Sequence, residues 1–312
     1  MQEHRYVIIG GTTRAATTSL YIYFSDHPEV CSSNIKETRF FLNLNYPLPV
    51  KYRLEDGLDK YEKYFNHCRK RPLRLEVTPD YLYSPGTPQK IKQCLPNVKL
   101  IFILREPIDR LISWYHFAKQ TARITAQMSF EEYVHFQLQN SGHDGPLEQH
   151  MRTLEQGRYS TYLKNYLDLF ERDQLCIVQY EQLRYDPSTF LERICLFMGI
   201  DPGFYQNYHF EAFNRSQPMR NISLHKTYAK FIRALQMRVH DKQKNRLFLR
   251  YLRRRLEPFY LRLNRRRDEH LIISDQTKKL LENYYSDEPA TLASLLGRKN
   301  FSWETSKVMD RE

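Results

Sequence analysis

Residues 6–24, YVIIGGTTRAATTSLYIYF, read as an apolar strand, a tight Gly/Thr/Arg turn and the start of a helix. The run YVIIG is β-branched and ends in Gly, the pattern of a strand buried on both faces. From Thr17 to Asp26 apolar residues at 20, 21 and 24 have helical spacing, and His27-Pro28 closes the helix because proline cannot continue it. A strand that feeds a loop and a helix N-terminus makes an anion site, since the first N–H groups of the helix lack partners and the helix dipole is positive there. The stretch is therefore a phosphate cradle. It is not a triphosphate loop of the GxxxxGK[ST] kind: counted from Gly11, Ala16 takes the second glycine position and Thr17 stands where the lysine is required. The basic group comes earlier, as Arg14, with Thr17 and Thr18 at the helix start. Such a set suits a phosphate ester bound without metal.

Working outward, LRLEVT (73–78), KLIFILR (99–105) and LCIVQYEQL (175–183) read as further strands. Between them lie helical patterns at 86–95, 108–120, 129–140, 159–170 and 188–200. Ser129 with Glu132 three residues on forms a capping box. The alternation implies an α/β fold, a P-loop-like central parallel β-sheet flanked by helices, with sites at the carboxyl ends of its strands. After Pro202 the texture turns basic and helical, and 274–297 reads as two short amphipathic helices. We expect one domain over 1–312, with an α/β core at 1–202 and a helical C-terminal part at 203–312.

The net charge of +12 is concentrated: residues 215–267 hold 4 Lys and 13 Arg against one Asp and one Glu, so the rest of the chain is slightly acidic. The five cysteines, at 31, 68, 94, 176 and 195, show neither CxxC nor metal spacing and read as reduced thiols. With a strand beginning near Met1 and no apolar run of about eighteen residues, a soluble, cytoplasmic protein is expected. The 11 histidines show no ligand spacing, so no metal is expected, and His116 reads as structural.

A second motif follows the strand at 99–105: Arg105, Pro107, Arg110, Ser113 and Tyr115, within LREPIDRLISWY. Together with the 6–24 stretch, this order resembles the sulfotransferases that use 3′-phosphoadenosine 5′-phosphosulfate (PAPS) and release 3′-phosphoadenosine 5′-phosphate (PAP). EVTPDYLYSP, LPNVKLIFILREP and LLGRKNFSW are similar in flavour to the bacterial carbohydrate-type and heparan sulfate N- and 3-O-branches. The resemblance runs over 6–200 and, weakly, 274–303. It implies that Arg14, Thr17 and Thr18, helped by backbone N–H groups from Ala15 and Ala16 onward, hold the 5′-phosphosulfate, and that Arg105 and Ser113 hold the 3′-phosphate. Arg suits this because its planar fork matches phosphate oxygens. Arg215 and Arg220 are further candidates for closing over the 3′-phosphate. Arg14 and Ala16 replace the family's usual Lys and Gly.

Sulfuryl transfer is an in-line displacement in which the acceptor loses a proton while charge grows on the leaving phosphate oxygen. KETRFF (36–41) resembles the family's E-x-x-F-F element, which implies Glu37 as base, Arg14 as stabiliser of the leaving group and Glu76 as reserve base. The acceptor implied by resemblance is a carbohydrate hydroxyl, less readily an amine. Two other readings stand beside this one. The first is a P-loop nucleotide kinase; the second is a non-enzymatic polyanion binder, with 215–267 lying on an anionic membrane surface or gripping an anionic acceptor. No nucleic-acid partner is expected.

Overall fold

A computed structural model describes residues 4–121, 123–125, 127–141, 152–210, 227, 271 and 273–303. The expected sheet is present. Five strands, β1 (Arg5–Gly11), β2 (Val30–Ser32), β3 (Leu73–Val77), β4 (Lys99–Leu104) and β5 (Leu175–Gln179), pair in parallel in the order β2-β3-β1-β4-β5.

Alternation along these strands makes two cores, one on each face. Ile8, Leu100, Phe102, Leu104 and Ile177 face a cluster with Tyr61, Tyr81 and Tyr166. Val7, Ile9, Ile101, Ile103 and Val178 face Phe24, Leu191, Ile194 and Cys195. Both faces are dry, which is why the strands read as continuous apolar runs rather than alternating ones. Each fully buried Ile, Leu or Phe contributes about 1.5–3 kcal/mol, so the sheet is a rigid platform for what its ends carry.

The helices are α1 (Thr17–Asp26), α2 (Leu58–Glu62), α3 (Thr87–Cys94), α4 (Pro107–Gln120), α5 (Phe130–Gln139), α6 (Tyr159–Leu167), α7 (Tyr180–Tyr185), α8 (Pro187–Met198), α9 (Asp275–Tyr284) and α10 (Glu288–Leu296). The capping box on α5 is formed: Glu132 N–H donates to Ser129 Oγ at 3.1 Å and Ser129 N–H to Glu132 Oε2 at 2.6 Å. The strand expected over 175–183 stops at Gln179. Glu181 turns inward there, and its Oε1 accepts from the Glu106 backbone N–H at 3.0 Å, a contact that α7 supplies and a continued strand would not.

A third core joins α4 and α5 to α9 through Leu111, Tyr115, Phe130, Tyr133, Leu281 and Tyr285. Tyr285 lies so close to Gly157 that a Cβ there would stand 2.6 Å from its hydroxyl oxygen. Glu288 accepts from both the N–H and the Oγ–H of Ser160 at 2.8 Å. The two C-terminal helices are thus fastened onto the α/β core.

One expectation is overturned. Cys31 and Cys68 form a disulfide, with Cα atoms 5.5 Å apart, whereas all five cysteines were expected to be reduced. The pairing carries no local spacing signature, because 37 residues separate the partners and tertiary packing of β2 against the 3-10 turn Lys63–Cys68 brings them together. Cys94, Cys176 and Cys195 are free thiols. The cysteine argument for a reducing compartment therefore falls. No helix among the described residues is long and apolar enough to cross a membrane.

Candidate active site

The central strand β1 lies between β3 and β4, so the chain leaves it where successive connections diverge to opposite halves of the sheet. This is the crevice in which open parallel sheets hold ligands. At its mouth the strand ends are close-packed: a Cβ on Gly11 would sit 3.0 Å from Leu82 and Phe102 side-chain atoms. Thr12 N–H then donates to Ile103 O at 3.0 Å, and the Thr12 hydroxyl meets Tyr83 OH.

The loop that follows is pinned from α4. Thr13 Oγ1 accepts from Arg110 Nη1 at 3.3 Å and from Trp114 Nε1 at 3.0 Å. Arg110 is fully buried, and its Nη2 donates to Thr153 O. Arg14 and Ala16 have left-handed backbone, φ 68° and 57°. That conformation costs a non-glycine residue on the order of 1–3 kcal/mol and belongs to the class of turns that builds N–H anion concavities. Ala16 is the N-cap of α1, and no side chain caps that helix end. Thr17 is buried and Thr18 partly so at its first turn.

The two motifs, almost a hundred residues apart in sequence, meet here. Arg14 Nε donates to Ser113 Oγ at 3.0 Å, and the Arg14 guanidinium lies 4.8 Å over the Phe117 ring. Arg105 Nη1 donates to Arg14 O at 3.1 Å, with its guanidinium 4.8 Å over Tyr180. Arg105 Nε is buried and has no hydrogen-bond partner among the described residues. Burial first, and the Arg105 charge second, bring Arg14 down to about 10, so it remains a cation at neutral pH. Like charges that act on each other in a partly dry crevice favour a bound anion. Arg215 and Arg220 lie outside the described residues, as does the basic segment 215–267 apart from Thr227.

A second wall is built from the loop after β2 and the end of β3, the strand that pairs beside β1. Glu37 N–H donates to Val77 O at 3.0 Å and Arg39 N–H to Thr78 Oγ1 at 3.3 Å, which lays residues 37–39 along the end of β3. Glu37 and Arg39 are also left-handed, φ 65° and 59°. The Glu37 carboxylate is gripped on both oxygens, by Lys36 Nζ at 2.9 Å and Arg39 Nη2 at 2.8 Å. Burial works against its ionisation, but the Lys36 charge and the two hydrogen-bonded cations outweigh it and hold Glu37 at about 2.

Glu76 is placed differently. It is completely buried, its Oε1 accepting from Thr38, Thr78 at 2.9 Å and Tyr81 at 2.6 Å, and its Oε2 from Tyr61 at 2.8 Å. Burial raises its pKa, opposed by those hydroxyls.

Three residues of the site escaped the sequence reading. Thr13 and Tyr180 are anchors whose partners lie far along the chain. Asp80, buried and accepting from Tyr46 OH at 3.0 Å, sits beside Glu37. Only the Asp-Tyr pair in EVTPDYLYSP could have drawn attention to it, a carboxylate directly after a strand end.

Fold and site together define an α/β protein whose central parallel sheet carries a cationic loop and an uncapped helix start at the end of β1, a class suited to binding phosphate. Residues 4–255 match the model of the sulfotransferase domain family, and the chain belongs to that family. It is 30% identical over 211 residues to human bifunctional heparan sulfate N-deacetylase/N-sulfotransferase 2, covering 62% of this chain and 22% of that protein. To the mouse N-deacetylase/N-sulfotransferase 4 it is 27% identical over 219 residues, covering 64% and 23%. The chain thus spans less than a quarter of the length of these curated relatives. A solved sulfotransferase from Alicyclobacillus acidocaldarius superposes with a TM-score of 0.56 at 25% identity, over 78% of this chain and 98% of that one.

Proposed function

We propose that this chain transfers the sulfuryl group of PAPS to a carbohydrate or glycoconjugate acceptor, releasing PAP, and that residues 1–312 work as one catalytic unit. The observation that carries the reading is the meeting of Arg14, Arg105 and Ser113 at the carboxyl ends of β1 and β4. In this reading Arg105 and Ser113 hold the 3′-phosphate, Arg105 through its unpartnered Nε among other donors. The α1 start, from Ala15 to Thr18, holds the 5′-phosphosulfate. Arg14 lies between the two ends of the nucleotide and meets the charge that grows on the leaving phosphate oxygen, as a cation rather than a proton donor. Arg215 and Arg220 are assigned a closing role over the 3′-phosphate.

Glu37, on the second wall, is assigned the role of base for the acceptor's proton, with Glu76 in reserve. Glu76 has both oxygens occupied by hydroxyls, which suits a residue that organises the loop and leaves it without a free face for an acceptor. The glycan class of acceptor is supported by relatives named as heparan sulfate N-sulfotransferases. Lys36 and Arg39 beside Glu37 suit an acceptor that carries carboxylate or sulfate.

The test is transfer of label from [35S]PAPS to heparan chains, one set bearing free amines and one fully N-acetylated so that only hydroxyls can react. Label on the N-acetylated set supports O-transfer, and label on the amine set alone reassigns the acceptor to nitrogen. Label on neither, with PAP bound, rejects the heparan backbone as acceptor.

A further inference from the structure

The second wall holds its carboxylate in a clasp. Arg39 Nη2 donates to Glu37 Oε2 at 2.8 Å, and Lys36 Nζ donates to Oε1 at 2.9 Å. With both oxygens taken by cations, a proton reaches Glu37 only when one cation lets go. The clasp is open to solutes: the side chains of Lys36, Arg39 and Glu37 are 16%, 23% and 27% exposed. Arg39 is also anchored independently of Glu37. Its Nη1 donates to Pro49 O at 3.0 Å and its backbone N–H to Thr78 Oγ1 at 3.3 Å, while its Nε is buried and has no hydrogen-bond partner among the described residues. A guanidinium held in this way stays in place when it releases Glu37 and can offer the same N–H groups to another anion. The clasp is tied to the strand that carries the donor loop. Glu37 N–H donates to Val77 O, and the next residue, Thr78, donates its N–H to Ile9 O at 3.1 Å, two residues before Gly11 on β1. We propose that Arg39 selects the acceptor: a carboxylate or sulfate of the acceptor replaces Glu37 Oε2 on the Arg39 guanidinium, and the freed Oε2 takes the proton of the hydroxyl being sulfated.

Glu37 acts here as the base of the sulfotransferase reading, on which the proposal rests. The acceptor hydroxyl oxygen forms the new bond to sulfur. The bond from sulfur to the bridging phosphate oxygen breaks with its electron pair, which leaves on PAP. The hydroxyl proton passes to Glu37 Oε2 and later to solvent. The planar guanidinium fork suits carboxylate and sulfate alike, so the exchange replaces one charge-assisted pair by another. A neutral acceptor brings nothing to exchange and meets a base that is still occupied. Acceptor charge is thus read in turnover as well as in binding. The charged and titratable groups around Glu37 are Lys36 and Arg39 from its own loop and Asp80 from the 3-10 turn Pro79–Tyr83, with Asp80 held in turn by Tyr46. Burial opposes ionisation of Glu37, but the Lys36 charge and the hydrogen-bonded Arg39 outweigh it and hold the carboxyl at about 2, so withdrawal of Arg39 raises it.

The test has two arms on the full chain. In the first, glutamate carboxyl carbons are followed by 13C NMR with PAP present, and the Glu37 resonance is assigned by its loss in Glu37→Gln. The probes are methyl glucuronide and its neutral counterpart, methyl glucoside. Glu37 stays ionised down to about pH 4 with the glucoside, and with the glucuronide its midpoint rises toward the ordinary glutamate value of about 4.3. In Arg39→Met the midpoint is raised equally with either probe. A midpoint unmoved by the glucuronide, or a difference between the probes that persists in Arg39→Met, overturns the proposal.

The second arm reads transfer from [35S]PAPS to unsulfated, N-acetylated heparan chains and to the same chains after carboxyl reduction. The unaltered protein is expected to show a kcat at least about 10-fold higher on the carboxylated chains. Arg39→Met brings the two kcat values within about twofold while transfer to the reduced chains persists, and Arg39→Lys keeps part of the preference because it has the charge without the fork. A preference confined to KM, or one intact in Arg39→Met, overturns the proposal, as does an Arg39→Met protein that still binds PAP and transfers to neither chain. Transfer to neither chain by the unaltered protein rejects the heparan acceptor, and the first arm then decides. If PAP fails to raise the melting temperature of the unaltered chain, the sulfotransferase reading fails, whatever the clasp does.

Discussion

The two walls of the crevice use the same backbone device to opposite electrostatic ends. Each holds two non-glycine residues in left-handed conformation, Arg14 and Ala16 on one side and Glu37 and Arg39 on the other. The Arg14 wall gathers cations and helix-start N–H groups, a surface that suits an anion. The Glu37 wall pairs carboxyls with Lys36, Arg39 and Tyr46, so its charge is nearly balanced within itself. In the proposed reading, excess charge on one wall serves the donor and the balanced groups of the other serve the acceptor.

Substitutions on the two walls should separate these functions. Glu37→Gln is expected to lower sulfuryl transfer by about 10²–10⁴-fold with the PAP dissociation constant unchanged, measured by radiolabel transfer and calorimetry. A loss of PAP binding in this variant would break the division between the walls.

The disulfide fastens β2, which leads into the acceptor wall, to the turn at 63–68. Replacing both Cys31 and Cys68 by serine opens a loop of 37 residues and should cost about 4 kcal/mol by the chain-entropy argument, read from denaturant unfolding. An unchanged midpoint would mean that tertiary packing alone holds that wall. Arg105→Ala removes a charge-assisted phosphate contact of about 1.5–3 kcal/mol, so PAP should bind on the order of 10–100-fold more weakly while the melting temperature without PAP changes little. The smallest effect is expected far from both walls. Ser129→Ala deletes one half of the α5 capping box and should cost about 1 kcal/mol of stability without touching PAP affinity.

Much of the α/β core was legible because its signals are local. The β1 and β4 runs, the Pro107 start of α4 and the Ser129 cap can be read within a few residues of themselves, and each lies where expected within about two residues. The end of β5 was not legible, since Glu181 turns inward for a backbone N–H that belongs to Glu106. The Cys31–Cys68 pair and the Asp80–Tyr46 contact were hidden for the same reason, being products of chain crossings. Within the site, spacing and resemblance named Arg14, Arg105 and Ser113 as a set. The direct bond between Arg14 and Ser113, and the pinning of Thr13 by Arg110 and Trp114, required three dimensions.

Nucleotide-dependent melting reports on the donor wall. At a hundredfold excess over its dissociation constant, PAP should stabilise the chain by about 2.7 kcal/mol, seen as a rise of several degrees in melting temperature, and ATP with Mg²⁺ should give a clearly smaller shift. A shift with ATP and Mg²⁺ but none with PAP would rule out a PAPS site on this wall and return the 6–24 stretch to the kinase reading.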